Sequence, residues 1–221
     1  MNEVKFEIEN QECEDFVCSF QNVEDFRIAF RKKYEYIVAF HATNLSDEEL
    51  KCIQKEGLEV ASKELLEKKA IHRFIVNESE KKSEEIEKDI KEWFSKDDLY
   101  ENKFYTKNEI NFGLLKDDLF EHYHYLLFGA ESLLPLADYL KKKHRKPFRQ
   151  ILIDSGLHYI IEVLIPVVKT DDEWIDSIYD FFYRDYYFPV YLGYYTDLSN
   201  ENIVKIEKVE RPNDVQNLIL I

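Results

Sequence analysis

The chain has 221 residues, 45% of them hydrophobic and 15% aromatic, with only 5 Gly and 5 Pro. That is enough apolar material for a core and too little linker material for separate beads, so general disorder is excluded and one domain over 1–221 is expected. A net charge of −15, from 30 basic and 45 acidic residues, repels phosphate backbones at long range and disfavours a broad nucleic-acid surface, leaving only a local basic patch.

Cys13, Cys18 and Cys52 are too few and too irregular for a disulfide framework, and the first two lack C-x-x-C spacing. No secretory signal, lipidation motif or membrane-length apolar run is legible. The expected setting is the cytoplasm, with no membrane partner.

Val4–Glu9 alternates apolar and charged residues, as a half-buried strand does. Residues 12–34 place Phe16, Phe20, Val23, Phe26 and Phe30 at mostly helical spacing, with a break expected near Gln21-Asn22. Tyr36–Thr43 is apolar at both parities and reads as an interior strand covered on both faces. Ser46 and Glu49 then match a capping box, Leu50 and Ile53 form an apolar stripe, and Gly57 closes the helix in a left-handed conformation. A second helix is expected over roughly 62–70. Residues 78–97 are polar with a narrow stripe at Ile86, Ile90, Trp93 and Phe94, which predicts a surface helix.

Residues 98–108 read as a loop and 110–115 as a short strand. The longest helix begins near Asp117 or Asp118. Gly129 and Pro135 interrupt it: a mid-helix Gly costs about 1 kcal/mol against Ala, and Pro breaks or kinks the helix. The break is expected at 128–132. Lys141–Lys146 is the one dense basic run, as found where cations complement a helix C-terminus. Strands follow at 157–166, 186–195 and 203–209, with a helical stripe over 173–182 between the first two. Strands and helices without regular βαβ alternation indicate α+β with a bent or split, mixed and mostly antiparallel sheet flanked by helices.

Glycine-rich phosphate loops, nucleophile elbows and H-E-x-x-H are absent from the sequence. His122 and His124 are two apart, about 200° around a helix, and cannot share a metal from it. No metal is expected.

An apolar strand ending His41-Ala42-Thr43, followed by a capped helix that ends Gly57-Leu58, resembles the first motif of ADP-ribosyltransferase-like proteins. The similarity is to the branch with histidine at that place, which includes poly(ADP-ribose) polymerase-like and RNA 2′-phosphotransferase-like enzymes. The resemblance implies NAD as substrate, with His41 on a ribose hydroxyl and the Ala42 backbone on the nicotinamide amide. It gives Thr43 the role of supporting the turn through hydrogen bonds to nearby backbone. The residue between His and Thr is usually Gly in that family; here it is Ala42. The family also needs an aromatic to stack on nicotinamide, for which Tyr123 and Tyr125 are candidates, and usually a catalytic glutamate, for which Glu131 and Glu162 are. Glu131 lies at the expected helix break; Glu162 interrupts an apolar strand and needs solvent or a buried partner.

Three functions follow. One is an NAD-consuming transferase or glycohydrolase, such as a toxin or phage-conflict enzyme, acting on a protein, a nucleic acid or water. The second is a catalytically silent relative. The third is an acidic α+β protein-interaction module in which His41 is structural.

Overall fold

The protein is described by a computed structural model that covers residues 4–76, 78–95, 109–121, 124–183 and 190–210. It is an α+β fold with a mixed, largely antiparallel sheet flanked by helices. Strands β1 (Lys5–Phe6), β2 (Tyr36–Leu45), β3 (Ile110–Gly113), β4 (Leu157–Pro166), β5 (Tyr191–Tyr194) and β6 (Ile203–Lys208) run in the order β5-β3-β2-β4-β6, and β1 pairs in parallel with the start of β2. The expected strand at 4–9 shrinks to two residues. The Asn10 side chain caps the next helix by accepting from the Glu12 and Cys13 amides, so the chain must turn first.

β2 and β4 are the spine, in register for ten residues from Tyr36 opposite Pro166 to Leu45 opposite Leu157. On one face, Ile37, Ala39, Ile161 and Val163 pack against helices α1 (Gln11–Cys18) and α2 (Val23–Lys33), whose junction falls at Gln21-Asn22 as expected. Phe26 and Phe30 of α2 are fully buried here, each worth about 1.5–3 kcal/mol of transfer free energy. Both faces of β2 are covered, in keeping with its apolar parities.

A second, helical core lies beside the sheet. It is built from α4 (Lys63–Ile75), α5 (Glu80–Ser95), α8 (Leu134–His144) and α9 (Phe148–Asp154). The narrow stripe of α5 is the seam of this core: Ile86, Ile90, Trp93 and Phe94 are all buried. Among the described residues the longest helix is therefore this one, and not the segment after Asp117. That segment divides into α6 (Asp118–Glu121), α7 (His124–Phe128), a 3-10 turn at Glu131–Leu133 and α8, so the break falls where Gly129 and Pro135 foretell it. α10 (Asp172–Tyr183) returns to the first core. The 98–108 segment and residues 186–189 of the aromatic run lie outside the described residues.

The basic run is the end of α8. Lys143 and His144 bond the buried Asp89 of α5, and Lys146 bonds Glu78. Lys143 and His144 thus join the end of α8 to α5.

Candidate functional site

The sheet opens at β2. β2 and β3 share one registered pair, Phe40 with Gly113. Continued antiparallel pairing would place His41 opposite Phe112 and Ala42 opposite Asn111, but an imidazole stands there instead. His41 Nδ1 lies 2.9 Å from the Asn111 carbonyl oxygen. A carbonyl only accepts, so Nδ1 carries the proton and Nε2 presents its lone pair. Among the described residues Nε2 has no hydrogen-bond partner. Burial lowers the His41 pKa to about 4, outweighing the bond to Asn111, and Lys69 lowers it further. The ring is neutral at pH 7.

The end of β2 is fixed by a buried polar node. Arg73 of α4 donates to Asn44 Oδ1, to the Asn44 carbonyl and to Ser155 Oγ, each at 2.9 Å, and also to Glu49. Asn44 Nδ2 donates to the carbonyls of Leu127 and Ile153. Glu49 belongs to helix α3 (Asp47–Glu56), whose capping box with Ser46 is complete. Gly57 ends α3 with φ 99° and ψ −160°, a positive φ outside the left-handed helical region that was expected. The node thus ties α3, α4, α7 and α9 to the strand that carries His41. Gly129, at φ +69°, brings its chain against Asn44: a Cβ there would lie 2.8 Å from the Asn44 carbonyl oxygen.

These elements enclose a cleft of about 1490 Å³. His41, Ala42, Thr43, Tyr125 and Glu131, five of the residues singled out from the sequence, line it together. Tyr123 lies outside the described residues. Glu162 is not among the lining residues. It is half-buried on β4, across from Phe40 of β2 and Lys205 of β6, beside a β-bulge; the Lys205 ammonium bonds Glu207. Thr43 departs from its expected role: its hydroxyl has no hydrogen-bond partner among the described residues, although the residue is buried and lines the cleft. The Ala42 methyl packs with Leu119, Leu126 and Ile160, which is where a Cβ at this position finds room.

Burial raises the Glu131 carboxyl pKa. Burial also raises the Tyr125 phenol, helped by the carboxylates of Glu131 and Glu109. Tyr191 lies beside it, with ring centroids 6.3 Å apart. Glu109, Asn111, Lys69 and Trp93 also belong to the cleft wall and were not found from the sequence. Their roles depend on partners far along the chain; the one local signal was the apolar short strand that carries Asn111.

Among the described residues no group of three or more His, Cys, Asp or Glu side chains is placed to hold a metal ion. Likewise, no helix there is long and apolar enough to cross a membrane. Compared with protein-family models, curated protein sequences and solved structures, the chain matches none of them.

Proposed function

We propose that the cleft binds NAD and that the protein is an ADP-ribosyltransferase-like enzyme. The observation that carries this reading is His41: a neutral imidazole at the split between β2 and β3, its Nδ1 held by Asn111, its Nε2 without a partner among the described residues, and its ring in the wall of a cleft large enough for a dinucleotide. A neutral Nε2 accepts a hydrogen bond from a ribose hydroxyl; an imidazolium could not. Tyr125 supplies an aromatic face on the same wall, and Glu131 a desolvated carboxyl.

In this reading the bond from ribose C1′ to the nicotinamide nitrogen breaks, its electron pair leaves with nicotinamide, and positive charge develops on the ribose ring. Ionised Glu131 stabilises that charge more strongly in a desolvated wall than it would in water. An acceptor nucleophile then bonds to C1′ and gives up its proton. The acceptor is a protein group or water; a nucleic acid is disfavoured by the net charge. Glu131 is preferred to Glu162 because it shares the cleft with His41.

Incubation with NAD, with nicotinamide release followed by chromatography, tests this. The expected outcome is turnover that falls by about a hundredfold or more in Glu131→Gln and is lost in His41→Ala. Absence of both turnover and an NAD-induced thermal shift would defeat the proposal. A shift without turnover would establish a catalytically silent NAD-binding relative, the reading favoured by Ala42 in place of the family's usual Gly. The same family reading accommodates a toxin or phage-conflict role and a protein target in the cytoplasm.

A further inference from the structure

Lys69 is on the face of α4 that lines the cleft, four residues after Leu65 and three before His72, which line it too. Its ammonium is poorly satisfied. The nearest carboxylate oxygen, Glu49 Oε1, is 3.9 Å away, beyond hydrogen-bond reach. Glu49 is already committed elsewhere: its other oxygen accepts from the Ser46 amide at 2.8 Å and from Arg73. Among the described residues Lys69 makes no hydrogen bond, and its half-buried side chain lines the cleft, so its three donors are left to solvent or to a ligand there. Burial lowers its pKa; Glu49 and Glu59 oppose that, and the neighbouring Arg73 guanidinium adds to it. A cation held this way costs free energy in the empty protein. A ligand anion would relieve that cost. Lys69 also acts electrostatically on His41, which places the two groups in one field.

We propose that Lys69 is the anion receptor of the cleft, taking a phosphate oxygen of a nucleotide whose nucleoside end lies toward His41. The naming of that anion as a nucleotide's diphosphate rests on the NAD reading; the anion site itself does not. Lys69 meets the phosphates on α4, while Glu131 and Glu109 act electrostatically on Tyr125, where a cationic nicotinamide ring would lie.

Calorimetric titration of the whole chain with inorganic pyrophosphate and with ADP-ribose, in chloride buffer, tests this on wild type, Lys69→Met, Lys69→Gln and Lys69→Arg. Both probes are expected to bind wild type, to bind the Met and Gln variants about tenfold to a hundredfold more weakly, as for a lost charged hydrogen bond, and to be partly retained by Lys69→Arg. The ligand-free Met variant is expected to melt close to wild type, because it removes a half-buried cation whose one ion pair, to Glu49, is long at 3.9 Å. Equal binding in wild type and the Met and Gln variants would overturn the proposal and leave the NAD reading standing. Pyrophosphate binding that depends on Lys69, without any ADP-ribose binding, would uphold the anion site and defeat the NAD reading. No binding of either probe to wild type, or a large loss of melting temperature in both Met and Gln variants, would make Lys69 a structural partner of Glu49 and end the proposal.

Discussion

His41 shows how one side chain can serve two ends. Its neutrality comes from burial, so its folded pKa, about 4, lies below its ordinary value of 6.5. Between those two values the unfolded chain binds a proton that the folded protein refuses. The stability contributed by His41 is therefore fully present above pH 6.5 and is lost progressively as the pH falls to about 4. Glu49, whose pKa is lowered by Lys69 and Arg73 against the effect of burial, adds a loss of its own only below its ordinary 4.5. Comparing pH 7.5 with pH 5 thus leaves Glu49 out, and comparing wild type with a His41 variant separates this imidazole from the other histidines. Urea denaturation should show wild type losing more stability over that interval than His41→Asn; equal losses would mean that the imidazole titrates normally. His41 was legible from its place in an apolar strand, although β2 runs on to Leu45 and holds the residue inside the strand rather than at the expected end. Its tautomer was not, because Asn111 is 70 residues away and its register is set by the sheet.

At the scale of elements, the buried node around Asn44 holds the site together. Arg73 is 5% exposed and makes four hydrogen bonds, two of them to Asn44. Arg73→Met would leave Glu49 and the Asn44 carbonyl without their partner, at an expected cost of about 3–5 kcal/mol in a denaturant titration. Ser46→Ala removes only the cap acceptor and should cost about 1 kcal/mol. A ratio near one between the two would show that the node carries no special weight. The capping box and the break at Gly129 could be read locally, since each depends on residues within one turn. Arg73 and Lys69 could not. In the sequence they are two more cations on a polar helix, and only the packing of α4 against α5 and α9, which carries Arg73 to Asn44, separates them from solvated ones. Helix α9 was missed for a related reason: seven residues following Pro147 carry too few turns for a periodic signal.

Over the whole molecule, the charge of −15 bears on stability more than on fold. Self-repulsion is screened within about 10 Å at 0.1 M salt, so raising sodium chloride from about 20 mM to about 300 mM should raise the melting temperature by a few degrees. A flat or falling melting temperature would show that attractive pairs such as Arg27–Asp176 and Arg149–Asp138 outweigh the net repulsion. The α+β class and most elements followed from periodicity and turn residues. The arrangement into a sheet core with a helical core beside it did not, because the stripe of α5 reads equally well as a surface face. The cleft occupies the space between those two cores, so the uncertainty over α5 was also uncertainty over the site.

The Asn44 node also bears on how such a chain can diverge. A Cβ at Gly156 would fall 2.1 Å from Asn44 Oδ1, and one at Gly129 would fall 2.8 Å from the Asn44 carbonyl oxygen. Neither position can drift without disturbing the node that joins four helices to β2. The rim is under no such restraint: Cys52 is exposed and Glu48 mostly so, and both border the opening. Lineages descended from this protein could retune what enters the cleft by changing its lip, while the frame that aims the imidazole is inherited almost unaltered.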